Sequence, residues 1–202
     1  MPPLRITLVA APLFALFAMG CASTAANEVT AKMDTMRDEQ SAEKLFERGK
    51  AFATVGDWTR AEQYLASSMD AGAAQRVVMP ILLNVCVQDR RYRVAAWYAE
   101  DYLRRHPADI DMRYILGTIY AALGDVKGAR ANLEAVIAQR PEDPHTHYAL
   151  AVVLRDANQD LPAMDQHFRA YLRLAPEGEH AEEARAGLLL EVPKTPPVKA
   201  DP

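Results

Sequence analysis

Residues 110–143 read IDMRYILGTIYAALGDVKGARANLEAVIAQRPED, and this stretch decides how the rest of the chain is read. Leu116 and Tyr120 lie on one side of the pair Gly124-Asp125, with Leu133 and Val136 on the other, each couple at helical spacing. A glycine is suited to the left-handed residue that ends a helix, and an aspartate after it can cap the next one. Pro141 closes the stretch. The local reading is two helices joined by a tight turn.

Moving outward, the same pattern returns every 34 residues. Ala61, Ala95, Ala129 and Ala163 form one column. Twelve positions earlier stand Gly49, Leu83, Gly117 and Ala151, and nine earlier Phe52, Cys86, Tyr120 and Leu154. The turns read Gly56-Asp57, Arg90-Arg91, Gly124-Asp125 and Asn158-Gln159. Twelve positions after the alanines come Ala73, Pro107, Pro141 and Ala175, with Pro176 one place late. A period of this length marks a helix–turn–helix solenoid.

The pattern resembles the tetratricopeptide repeat from Ala42 to Pro176, in units 42–75, 76–109, 110–143 and 144–177. The resemblance implies an all-α, right-handed solenoid of about four helix pairs. It also implies that the small residues at the eighth and twentieth places of each unit let its two helices cross closely, since the side chain at a crossing sets the interaxial distance. The second unit departs most. Leu83 replaces a small residue, and Pro80 sits about one turn into its first helix, which is expected either to start late, near Met79, or to bend. An open end of a solenoid needs a lid. Ala181, Ala184, Leu188 and Leu189 fall near helical spacing and predict a capping helix over 178–192, with an extended tail over 193–202.

At the other end, residues 1–20 read MPPLRITLVAAPLFALFAMG, with Arg5 ahead of an apolar run too short for a comfortable membrane span. Ala18-Met19-Gly20-Cys21 resembles a bacterial lipobox, which implies a cleaved leader and lipidation of Cys21. It departs at Ala18, where leucine is usual, and at Met19, where a small residue is usual. A plain secretory signal is the other reading. Ala22 beside the cysteine, rather than aspartate, implies export to the periplasmic face of an outer membrane. Residues 21–41 then read as a tether, helical in part from Glu28.

Half of the residues are hydrophobic and a quarter charged, which is ordinary for a folded protein. The net charge of −4 becomes one unit more negative once Arg5 leaves with the leader, giving no support for a nucleic-acid partner. The second cysteine, Cys86, occupies a buried repeat position, so no disulfide is expected. His145 and His147 point to opposite sides of a helix and cannot chelate one metal from within it; they read as surface residues at a helix start. His106, His167 and His180 have no partner at a recognisable catalytic spacing, and the glycines form no phosphate loop. A non-enzymatic protein without cofactor is expected.

The surface left to carry function is the groove that the family lines with the first helix of each repeat. By resemblance it includes Phe46, Lys50, Asn84, Gln88, Tyr114, Thr118, Tyr148 and Arg155. Phe46, Tyr114 and Tyr148 share one repeat position and form a spaced aromatic row, interrupted where Pro80 stands. Rigid aromatics flanked by polar groups are typical anchors for a peptide or a helix. A lipid-anchored array of this kind resembles outer-membrane lipoproteins that help pilus or secretion channels assemble. The expected partner is therefore a secretin-like channel subunit, or alternatively an envelope hydrolase or protease.

Overall fold

Most helices of the repeats begin behind a short polar residue whose side chain takes one of the amides that a helix start leaves unpaired. Ser41 accepts from the Lys44 amide, Asp57 from Arg60, Asp109 from Met112, Asp125 from Gly128, Asp143 from His145 and Asp160 from Ala163. The computed structural model describes residues 20–189, with side chains from Asn27 onward. The leader, the lipidation expected at the Cys21 thiol and the tail expected over 193–202 lie outside the described residues.

The helices are α1 (Gly20–Glu39), α2 (Ala42–Thr54), α3 (Trp58–Asp70), α4 (Gln75–Gln88) and α5 (Tyr92–Arg105), followed by α6 (Ile110–Leu123), α7 (Val126–Gln139), α8 (Pro144–Asp156), α9 (Leu161–Leu174) and α10 (Ala181–Ala186). Each packs chiefly on its neighbours in sequence, so that α2–α9 build an all-α solenoid of four helix pairs and α10 covers its end. There is no strand among the described residues. Two buried clusters fill the seams, one running from Ala61 to Ile119 and one from Ala129 to Ala184, and Tyr120 packs against both. Helix α1 is regular throughout rather than from Glu28 alone, because 21–39 holds four alanines and neither glycine nor proline. It is fastened to α2 by Lys44, which pairs with Asp38 at 2.5 Å and Glu39 at 3.2 Å, and by Arg48 with Glu39.

Within the first and third pairs a glycine on the first helix faces a leucine on the second. A Cβ added to Gly49 would stand 2.7 Å from Leu65 Cγ, and one added to Gly117 3.0 Å from Leu133 Cγ. The second pair inverts the sizes. Leu83 replaces the glycine, and Ala99 stands eight residues past the α5 cap, where Leu65 and Leu133 stand in α3 and α7. Leu83 and Ala99 are both fully buried, and α4 and α5 approach less closely than the other pairs. Pro80 lies inside α4, which begins at Gln75; the late start near Met79 is not seen. Pro80 and Arg76 are both exposed, so water can reach the Arg76 carbonyl that proline cannot bond.

The second pair also lacks side-chain caps at Ala74 and Arg91, and its turn places Arg90 in the left-handed region at φ 57°. An ion cluster stands in for the caps: Arg91 pairs with Glu62 of α3 at 2.5 Å and with Asp89 at 2.7 Å, and the Tyr98 hydroxyl donates to Glu62 at 3.1 Å. Burial, with the Glu62 carboxylate close by, pushes the Tyr98 hydroxyl up to about 12 and the Cys86 thiol up to about 11. Cys86 is thus a protonated core thiol.

The fourth pair slips by one residue. Its second helix is capped by Asp160, one place later in the repeat than Asp57, Arg91 and Asp125, and the extra residue is absorbed by Asn158 and Asp160 at φ 50° and 48°. Ala61, Ala95 and Ala129 are completely buried, but Ala163 is only half-buried, and Met164 takes the crossing. Phe168 correspondingly takes the place of Leu65 and Leu133. This corrects the alanine column, which ends at Ala129. It also accounts for Pro176, which lies sixteen residues past its cap, as Pro107 and Pro141 do.

The cap is shorter than the 178–192 expected. Ala181 and Ala184 bury their methyl groups, the helix ends at Ala186, and Gly187 after it lies against the Phe168 ring, where a Cβ would come within 2.6 Å of Cε2. The chain then turns, and the Leu189 amide donates to the buried Asp165 at 2.9 Å.

If size complementarity sets the crossings, Gly117→Leu should destabilise the protein by about 1–3 kcal/mol through overpacking. Adding Leu133→Ala, which reproduces the arrangement of the second pair, should restore about half or more of that loss. Urea denaturation of both variants measures this; equal stability of the single and double variants would refute it.

Candidate functional site

Helices α6 and α8 hold equivalent places in successive pairs, and their facing sides form a cleft of about 240 Å³. Tyr114 and Thr118 come from α6, and His145, Tyr148, Ala149 and Val152 from α8. Ala121 and Leu133 add to the apolar lining, and His180 closes the end toward the cap. The Thr118 hydroxyl is taken by the Ile115 carbonyl at 2.8 Å, so its methyl face is left to the cleft. Aromatic walls over an apolar floor suit an apolar or aromatic side chain of a partner segment.

Tyr148 is held from the cap side. His180 stacks on its ring at 4.1 Å and 7°, and its hydroxyl donates to Glu183 Oε2 at 2.5 Å. Arg155 donates to Glu183 Oε1 at 2.8 Å and pairs with Asp156 at 2.9 Å. The Tyr148 hydroxyl and then the Arg155 guanidinium hold the Glu183 carboxyl below its usual range. Burial, with the Glu183 bond, pushes the Tyr148 hydroxyl up to about 12.

Of the groove residues read from the sequence, the structure brings Tyr114, Thr118 and Tyr148 together. Arg155 stands beyond them, engaged by Glu183. Phe46 and Lys50 lie on α2, outside this cleft: the Lys50 ammonium sits 4.9 Å from the Phe46 ring centroid and pairs with Glu47 at 2.8 Å. Asn84 and Gln88 are exposed on α4 and bonded to each other at 3.4 Å. Sequence reasoning missed His145, His180 and Glu183, since the pairing of α8 with the cap leaves no mark in the 34-residue period.

His147 is a correction. It is buried, not a surface residue, and its Nδ1 lies 3.0 Å from His167 Nδ1 while its Nε2 lies 3.0 Å from the Pro141 carbonyl oxygen. A carbonyl only accepts, so Nε2 carries the His147 proton and Nδ1 accepts from His167. The Nδ1–Nδ1 contact holds one proton, since two N–H groups cannot face each other across it. Burial, and then His147, lowers the His167 pKa. Among the described residues no group of three or more His, Cys, Asp or Glu side chains could hold a metal ion.

A larger hollow of about 770 Å³ beside the α5–α6 turn is lined by Arg76, Arg105 and Arg140, but its charges are largely satisfied. Arg140 pairs with Asp111 at 2.6 Å, Arg105 with Asp101, and Asp109 accepts from the Tyr102 hydroxyl at 2.9 Å. It reads as a structural joint.

Because the His167 pKa is lowered on folding, the contribution of His167 to stability is present above the unfolded value of about 6.5 and is lost as pH falls below it. Denaturation midpoints measured from about pH 7.5 down to 5 should fall more steeply for the native protein than for His167→Leu. Parallel curves would refute the lowered His167 pKa.

Residues 87–144 and 120–179 match the family model of the tetratricopeptide repeat. The chain is similar to a human FK506-binding protein-like protein, 29% identical over 165 residues that cover 79% of this chain and 44% of that one. It therefore spans less than half the length of that relative. Among solved structures it resembles YrrB, a TPR protein with an unusual peptide-binding site (TM-score 0.64, 16% identity, 82% of this chain and 87% of that one). A tetratricopeptide repeat protein from Parabacteroides merdae aligns at TM-score 0.65 and 20% identity, over 73% of this chain and 59% of that one. MamA from Desulfovibrio magneticus aligns at 0.60 and 18%, over 80% and 99%. Identities this low speak for the fold alone. Residues 87–179 are thus similar in sequence to tetratricopeptide repeats, and the helix pairs from Ala42 to Leu174 share the fold of the tetratricopeptide solenoids.

Proposed function

We propose that this protein is a non-catalytic, lipid-anchored scaffold that binds a segment of a protein partner in the α6–α8 cleft and helps an outer-membrane pilus or secretion channel assemble. The observation that carries the binding role is the meeting of Tyr114 and Tyr148 over an apolar floor. The likeness to YrrB, which carries a peptide-binding site, supports it. The anchor is supported by the sequence Ala18-Met19-Gly20-Cys21 and by α1, whose 20 residues extend about 30 Å from Gly20 to the repeats. No helix among the described residues is long and apolar enough to cross a membrane. Lipid at Cys21 would confine the cleft to the membrane surface and raise the effective concentration of a partner there.

Two measurements test this reading. Cys21→Ser should move the protein from the membrane to the soluble fraction; unchanged membrane retention would refute the anchor. Tyr114→Ala with Tyr148→Ala should reduce recovery of a channel subunit from solubilised membranes by about tenfold or more, as loss of an aromatic anchor does. Recovery of a cell-wall hydrolase or protease instead, with channel multimers normal in a deletion strain, would replace the channel role by that of an envelope adaptor.

A further inference from the structure

The cap does more than cover the last repeat. Ala181 and Ala184 anchor α10 in the core, whereas Glu183, on the same short helix, is partly exposed and reaches back to Tyr148 and Arg155. Its two oxygens are each taken by a different donor, one a phenol and one a guanidinium, which together make a carboxylate clamp. The clamp adjoins the cleft, because Tyr148 belongs to both and the His180 ring stacked on it lines the cleft. Exposed ion pairs of this kind contribute little to folding. The Glu183 side chain can therefore swing into water while the two alanines keep α10 in place.

We propose that Tyr148 and Arg155 form a carboxylate-binding subsite at the cap end of the cleft, filled in the free protein by Glu183, and that the partner segment displaces Glu183 with an aspartate or glutamate of its own. The proposal rests on the reading of the cleft as a peptide site and gives that peptide its chemistry: an apolar or aromatic residue between Tyr114 and Tyr148, with an acidic residue next to it toward α10. Glu183 is then an intramolecular competitor that sets a threshold for binding. Arg155 is also the guanidinium placed to distinguish a carboxylate from a neutral amide there. Asp156, its other partner, keeps the guanidinium near the clamp when Glu183 leaves.

The test uses two acetylated, amidated peptides, Ser-Leu-Glu-Phe-Ser and its glutamine counterpart Ser-Leu-Gln-Phe-Ser, titrated into the full chain and followed by NMR at the Tyr114 and Tyr148 rings. Glu183→Ala should tighten binding of the glutamate peptide by about tenfold and leave the glutamine peptide unchanged. Arg155→Met should abolish the preference between the two. Glu183→Gln serves as a second variant that keeps the side-chain length, and circular dichroism verifies that helix content is unchanged in all three. Shifts at both tyrosines with no glutamate preference in any variant would overturn the carboxylate subsite and leave the peptide cleft standing. No shift at either ring with either peptide would overturn both.

Discussion

The solenoid depends on how closely two helices of a pair can cross. At Gly49 and Gly117 the backbone of the first helix lies against a leucine of the second, so closely that an added Cβ would clash at Gly49 and press on Leu133 at Gly117. Close crossing brings the flanking apolar rows into register, and those rows bury the completely inaccessible residues Ala61, Leu65, Ala129 and Leu133. Sequence and packing are coupled through volume: the second pair reaches a workable crossing by exchanging sizes, Leu83 against Ala99. That exchange separates α4 from α5, and the wider pair is held by the Glu62–Arg91–Asp89 cluster where its neighbours use aspartate caps.

The same constraint positions the cleft. Successive first helices α6 and α8 stand side by side because each is locked to its own second helix, so residues one repeat apart, Tyr114 and Tyr148, come to face one space. No loop needs to move to create it. What varies along the array is how each first helix ends its exposed side. On α2 a lysine covers Phe46, on α4 two amides pair with each other, and on α8 the cap reaches over Tyr148 and Arg155. The aromatic cleft thereby lies toward the C-terminal half of the solenoid.

The one-residue slip before α9 has consequences beyond its turn. It carries Phe168 into the buried cluster that holds Ala151 and places its ring against Gly187, the residue after the capping helix. It also leaves Asp165 buried, where Arg169 and the Leu189 amide satisfy its carboxylate and hold its pKa down. The placement of Phe168 under the cap and of Asp165 in the interior thus follows from a single extra residue among 157–160.

Much of the fold was legible in the chain itself, because a 34-residue repeat of small, apolar and turn residues encodes local helix ends and crossing faces that each unit satisfies on its own. Gly56, Gly124 and the capping aspartates are readable for that reason, and so are Tyr114 and Tyr148 as members of one row. The late Pro176 was a visible sign of the slip. The identity of the groups that meet across the array was not legible. Nothing in the spacing of His147 and His167 shows that their rings touch, and nothing places Glu183 on Tyr148 and Arg155. Those contacts join residues from different helices whose separation does not follow the period. The sequence by itself determined the helices and their order, through local spacing and volume. Only the tertiary structure decided which exposed side chains remain open to a partner and which are taken by the chain's own cap, because that depends on how far one helix reaches over another.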